Sequence, residues 1–113
     1  MAKEATLYQP GDRIDYTCTA AVDVGEVVPL GTSMIGIAST AGLTGEVIAL
    51  EVEKVWEIPA ADADAVAIGD LLYFDPTNRV LTTVSAAMVR AGRALSAKAA
   101  LAAGSIYIKI NAA

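Results

Sequence analysis

Carboxylates are the residues in this sequence with the most capacity for chemistry. The chain carries 13 Asp and Glu residues, no histidine and a single cysteine, Cys18. Without histidine, the usual general base, the Ser–His and Cys–His nucleophile pairs and most zinc sites are excluded. A lone cysteine forms no intrachain disulfide, and Cys18 is interpreted as a small buried apolar residue. Catalysis would therefore have to rest on carboxylates alone.

Most of these carboxylates occupy positions typical of solvated turns. Asp62 and Asp64, with Asp75 elsewhere, resemble a fragment of a calcium site, but the Asp-x-Asp pair lacks the downstream Gly and Glu of a calcium loop. Trp56, the only Trp, is interpreted either as an interface anchor or as a plug of the core or of a subunit contact. The sequence predicts no catalytic, cofactor-binding or metal site, and hence no enzyme.

One short phrase recurs along the chain: a Gly, usually an acidic residue, then an apolar pair or near-pair. Gly supplies positive φ, the short polar side chain can close a turn on its own backbone, and the aliphatic residues that follow suit a pleated, half-buried strand. The phrase predicts one small all-β domain, a β-barrel or a β-sandwich. It begins at Gly11, Gly25, Gly45, Gly69 and Gly104.

Composition excludes several classes of partner. The net charge is −5, the pI is near 4.5, and the eight basic residues are scattered, so the electrostatic footprint of a nucleic-acid binder is missing. No apolar run approaches the roughly 20 residues that cross a bilayer, and the first residues do not resemble a signal peptide, so we expect synthesis in a cytosol-like compartment and no membrane contact. Only 5% of residues are aromatic. The core should be thin, which favours help from a partner subunit.

The order of turn signals predicts an N-terminal arm, residues 1–9, followed by one β-rich domain, residues 10–113. The stretch 46–58 is long enough to suggest a bend or bulge, and Pro59 is expected to end it. Asp75–Asn78 predicts the turn of a hairpin. The predicted strands are 13–19, 27–30, 34–38, 46–58, 71–74, 79–84, 89–95 and 105–110.

Three finer expectations concern local structure. The Ala-rich stretch 60–67 is either a helix of about two turns, the only helix expected, or a loop. In the last strand the period of two predicts that Ile106, Ile108 and Ile110 share a buried face. Residues 21–28 echo residues 65–72, which fits either an internal duplication or the reuse of one turn chemistry in a small barrel.

In its order of phrases the chain resembles a family of small tailed-phage and prophage proteins understood as capsid decoration, or cement, proteins. The match covers nearly the whole chain, and the order and spacing of its short phrases carry it. The phrases are Tyr8–Tyr16, Val24–Val28, Gly36–Ala38, Thr44–Leu50, Val55–Pro59, Ile68–Asp75, Ala91–Ala94 and Ala103–Ile110.

The resemblance implies a non-enzymatic module without cofactor, a homotrimer, that binds the major capsid protein on the outside of an assembled phage head and stabilises it. An extended arm can add a strand to an exposed sheet edge, so the arm is the expected capsid-binding segment. Alternatives are a β-barrel component of a phage tail or baseplate, another protein-binding module and, more remotely, a small carboxylate-dependent enzyme. The expected capsid-binding residues are Ala5, Thr6, Leu7, Tyr8 and Gln9.

Overall fold

The computed structural model describes Ala5 and residues 11–113 of the chain. Every regular element in this part is a β-strand, so the expected all-β fold class is confirmed. The nine strands are β1 (Arg13–Thr17), β2 (Val27–Leu30), β3 (Met34–Ala38), β4 (Val47–Glu51), β5 (Val55–Ala60), β6 (Leu71–Asp75), β7 (Val80–Thr82), β8 (Val89–Ala94) and β9 (Gly104–Ile110).

The strands form two sheets that follow one another along the chain. The first half holds a four-stranded antiparallel sheet in the order β1-β4-β3-β2. The second half forms a closed barrel in the order β5-β7-β6-β8-β9. All barrel neighbours are antiparallel except β5 and β7, which run parallel and pair at Ala60 and Leu81.

The two halves share one topology. Leaving β7 aside, the second-half order β5-β9-β8-β6 repeats the first-half order β1-β4-β3-β2. An isolated bridge occupies the same place in each half, Val22 with Gly42 in the first and Val66 with Lys98 in the second. The sequence echo between residues 21–28 and 65–72 therefore corresponds to a structural repeat, and β7 is the element that the second half adds.

Packing repeats as well. Leu50 in the first half and Ile108 in the second are both fully buried, and each lies opposite an alanine, Ala38 and Ala94 respectively. Each half has its own core cluster, but one face of β3 belongs to the barrel: Ile35 and Ile37 are buried in the second-half cluster. The first sheet therefore packs on the barrel through β3. Besides those two residues, the larger cluster contains Ile58, Ala60, Val66, Leu72, Phe74, Leu81, Val89, Ala91, Ala94, Ile106, Ile108 and Ile110.

The predicted strand 46–58 is two strands in different sheets rather than one bent strand. The chain leaves β4 at Glu51, turns at Lys54 with φ of 84°, and enters β5 at Val55. Pro59 was expected to end the strand, and that prediction is wrong: Pro59 lies inside β5, opposite Ser105. It is tolerated because β7 pairs with β5 only at the next residue, so the missing N–H removes no ladder bond.

In the Ala-rich stretch 60–67, residues 61–67 form a loop, the second of the two alternatives. Ala60 still belongs to β5, and Val66 makes a bridge to Lys98. The Asp64 carboxylate accepts hydrogen bonds from the Thr82 hydroxyl at 2.6 Å and the Thr83 N–H at 3.0 Å. Because so short a helix is marginal by itself, these longer-range bonds decide the conformation.

The recurring Gly phrase has two structural meanings. Gly25, Gly45 and Gly69 have φ of 81°, 89° and 93° and close tight turns before β2, β4 and β6. Gly11 and Gly104 do not have positive φ, so the expected conformation is wrong for them; Gly104 is already the first residue of β9.

Local predictions were otherwise close. The bounds of β2 and β3 are confirmed, the first strand ends at Thr17 rather than at residue 19, and the hairpin turn after Asp75 is confirmed. Ile106, Ile108 and Ile110 are buried on one face of β9, whereas Tyr107 between them is 54% exposed.

Candidate interaction surface

Three of the acidic residues hold the repeated turns together. In each turn a carboxylate oxygen accepts the N–H of the residue three positions earlier: Glu26 from Asp23 at 3.4 Å, Glu46 from Leu43 at 2.6 Å, and Asp70 from Ala67 at 2.8 Å. In return, the backbone N–H of each acidic residue donates to the backbone carbonyl of the residue three positions earlier. The expectation that the polar residue closes the turn is confirmed, and these carboxylates serve structure.

Asp75 closes the β6–β7 hairpin in a similar way. Its Oδ1 accepts the N–H groups of Thr77 at 2.9 Å and Asn78 at 3.2 Å, and its Oδ2 accepts from the Asn78 side-chain amide at 2.8 Å. The backbone N–H of Asn78 contributes most to holding the pKa of Asp75 below its ordinary value, with smaller contributions from the other two donors. The charged form is therefore the one that the turn stabilises.

Glu51 is the one glutamate in the described part of the chain that is buried. Its Oε1 forms ion pairs with Arg13 at 3.0 Å and Lys54 at 3.3 Å. These pairs link the start of β1, the end of β4 and the turn into β5. Because Lys54 lies in the turn that connects the two sheets, these ion pairs help to fix that connection to the first sheet.

No cluster of three or more metal-ligating side chains occurs among the described residues. In the same part of the chain, no helix has the length and apolar character needed to cross a membrane. Cys18 is free and buried, as interpreted from the sequence. Trp56 is partly buried against the barrel core and donates its Nε1–H to the Glu53 carbonyl at 3.0 Å, which favours the plug over the anchor.

Arg79 ties the first sheet to the barrel. Its guanidinium donates to the Val27 carbonyl of β2 at 2.6 Å, lies 3.8 Å from the Glu26 carboxylate, and stacks over the Phe74 ring at 4.9 Å. One side chain from the β6–β7 hairpin thus contacts both halves. Sequence reasoning missed this residue, because its partner lies 52 positions away.

Exposed apolar side chains lie on the repeated turns of each half. Val24 and Leu43 belong to the two bridged turns of the first half and are 68% and 67% exposed. Ile68 and Leu101 belong to the corresponding turns of the second half and are 70% and 86% exposed. These are the best candidates for protein contact in the described part of the chain. The sequence analysis did not identify them, although Val24 and Ile68 each directly precede a glycine of the repeated phrase.

The predicted capsid-binding segment is described only in part. Ala5 is exposed, and Thr6, Leu7, Tyr8 and Gln9 lie outside the described residues.

The fold and surface together define a small β-module of two halves with one topology, in which several acidic groups close turns and exposed apolar side chains lie on the repeated turns. The family model of phage cement proteins matches residues 8–110. The chain therefore belongs to the phage cement protein family, which confirms the resemblance seen in the sequence and places it among structural proteins of the phage capsid. Neither a search of curated proteins nor a search of solved structures found a match.

Proposed function

We propose that this protein is a capsid cement protein that binds the outer surface of an assembled phage head and stabilises it. The observation that carries the proposal is the family match, which spans residues 8–110 and so takes in both halves of the repeat. The engagement of Glu26, Glu46, Asp70 and Asp75 in turns supports it, because a cement protein requires a rigid module and no reaction chemistry.

The proposed working unit is a homotrimer that contacts the major capsid protein. Several subunits bound to one symmetric shell convert a weak contact per subunit into avidity, which raises apparent affinity by about 10²-fold or more. The exposed apolar side chains of Val24 and Ile68 offer surface for such contacts. A contact made where shell subunits meet predicts affinity for the assembled shell and none for free shell protein.

That the N-terminal arm is the capsid-binding segment stays a prediction. An extended Ala5–Gln9 strip can pair with a sheet edge through main-chain hydrogen bonds, which requires little side-chain specificity. Removal of residues 1–9 tests it, and it spares the core clusters of the described residues, which run from Ile14 to Ile110.

Co-sedimentation with undecorated, expanded shells of the phage that encodes the protein tests the function. The expected result is saturable binding at a fixed ratio to shell subunits, with no binding to unassembled shell protein as the matched control. Shells with bound protein should also retain DNA to a higher temperature than bare shells. If the intact protein leaves mature shells unbound, the proposal fails, and purified tails and baseplates become the assemblies to test.

A further inference from the structure

The four repeated turns all place a residue with positive φ at the same position, but that residue is not always glycine. The turns start at the bridge residues Val22, Gly42, Val66 and Lys98. Three residues further on, the first three turns have a glycine with positive φ, namely Gly25, Gly45 and Gly69. The fourth turn has Leu101 there, with φ of 58°. The left-handed conformation, which glycine adopts without steric cost, is therefore imposed here on a leucine.

The fourth turn is also closed by different groups. In the other three turns the residue after the glycine is acidic, and its carboxylate accepts a backbone N–H. Ala102 follows Leu101, and the Lys98 ammonium instead donates to backbone carbonyls, those of Asp62 at 3.1 Å, Ala99 at 2.9 Å and Ala102 at 2.7 Å. The Leu101 side chain takes no part in these bonds and is 86% exposed. The turn therefore does not depend on a leucine at this position.

Four other described residues besides glycine have positive φ, and none of them resembles Leu101. Lys54, Arg79 and Asn111 use their side chains in the ion pair and hydrogen bonds that connect parts of the fold, which offset the backbone cost. Ala87 is exposed, but it carries only a methyl group. Among the described residues with positive φ, Leu101 is therefore the one whose bulky apolar side chain is left in solvent.

We infer that Leu101 binds an apolar pocket of the assembled phage shell. A bulky residue in a left-handed conformation is an outlier, and such residues cluster at functional sites. Burial of the side chain in a partner offsets both the backbone cost and the exposure of Leu101. Burial of one leucine side chain raises affinity by about 10- to 100-fold. The inference rests on the proposed function, because it takes the shell as the partner.

The small size of the patch around Leu101 favours the shell over a second copy of this chain. The exposed residues beside it in the sequence are alanines, Ala99, Ala100 and Ala103. A specific interface between two free proteins buries about 1,200 Å² or more, which one leucine and a few methyl groups do not supply. On a symmetric shell many such contacts act together through avidity, so a small contact in each subunit is sufficient.

Two substitutions of Leu101 test the inference through stability and shell binding together. Leu101→Gly and Leu101→Asn both suit a left-handed conformation and remove the apolar side chain. Leu101→Gly should be at least as stable as the parent, with a melting temperature up to about 5 °C higher, because it relieves the backbone cost. In co-sedimentation with expanded shells, both variants should need a concentration at least about 10-fold higher for half-saturation. A residue that only supports the fold would not combine retained stability with weaker binding.

Each substitution has a matched control. Ala87→Gly relieves the same backbone conformation in another exposed loop, and it should leave half-saturation on shells unchanged. Leu43→Asn removes an exposed leucine from another repeated turn, and it should weaken shell binding less than Leu101→Asn does. An equal loss for Leu43→Asn and Leu101→Asn would assign binding to exposed apolar surface in general, which overturns the inference.

The remaining outcomes separate this inference from the proposed function. If the parent binds shells and the Leu101 variants bind equally well, only the inference fails. If the parent leaves mature shells unbound, both fail. Analytical ultracentrifugation of the free variants should give the same mass as the parent; a smaller mass would place Leu101 between copies of this chain and overturn the inference. A clearly lower melting temperature of Leu101→Gly would show that the side chain packs within the protein, which also overturns it.

Discussion

The side-chain amide of Asn111 pairs with the backbone of Ile35 as a neighbouring strand would. Its Oδ1 accepts the Ile35 N–H at 2.9 Å, and its Nδ2 donates to the Ile35 carbonyl at 2.8 Å. The same Nδ2 donates to the Val52 carbonyl at 2.7 Å. Asn111, which directly follows β9, thus connects β3 to the turn between the two sheets.

Asn111→Ala should lower the free energy of unfolding by about 1–3 kcal/mol, because the part-buried N–H and carbonyl of Ile35 lose their partners. Asn111 also has φ of 59°, a conformation that Asn tolerates better than Ala. Asn111→Gly keeps the backbone conformation and removes only the amide, so comparison of the two variants by urea denaturation separates the two effects. A loss below about 0.5 kcal/mol in both would contradict the role given to the amide.

Gly92→Ala should prevent stable folding of the barrel. A Cβ at this position would lie 2.2 Å from the Lys109 carbonyl oxygen, and φ is 146°. Gly25→Ala is the matched control, since Gly25 also has positive φ but nothing lies within 4 Å of its Cβ position. The control should cost about 1 kcal/mol. Soluble yield and thermal denaturation measure both, and equal stability of the two variants would refute the packing argument.

Glu46→Ala should destabilise the turn before β4 by about 1 kcal/mol, because the Leu43 N–H loses its carboxylate partner. Glu57→Ala removes an exposed carboxylate from β5 and serves as the control, with an expected change within about 0.5 kcal/mol. Neither variant should alter the saturation ratio on shells. Chemical denaturation gives the first comparison, and an equal effect of the two substitutions would count against the turn's dependence on Glu46.

Asp75 should make stability depend on pH in the acid range. Its pKa is lowered in the folded protein, chiefly by the Asn78 N–H, so its contribution is present above the unfolded value of about 3.9 and is lost as the pH falls through the folded value. Asp75→Asn should therefore be less stable than the parent at pH 7, and the difference should shrink towards pH 3. Urea midpoints at the two pH values provide the measurement; a constant difference would show that ionisation of Asp75 does not support the turn.

The elements of the fold that depend on neighbouring residues were predictable. The period of two in Ile106–Ile110, the turn after Asp75 and the bounds of β2 and β3 all follow from local alternation and turn chemistry. The turn carboxylates also belong to this group, because each bonds to a residue three positions away.

Contacts between distant residues were not predictable. The stretch 46–58 contains no Gly or Pro that would mark a break, yet Val52–Lys54 carries the chain from the first sheet into the barrel. The parallel contact of β7 with β5 closes that barrel, and it pairs Ala60 with Leu81, which are distant in the sequence. Arg79 and Asn111 reach partners 52 and 76 positions away.

By itself, the sequence determined that this protein is a small all-β domain with a repeated turn, and its order of phrases indicated the cement family that residues 8–110 match. Only the tertiary structure decided that the repeat is two sheets of one topology and that β7 closes one of them into a barrel. The physical reason is that alternation specifies which face of a strand is buried, whereas the neighbour on each edge is chosen by long-range hydrogen bonding and packing.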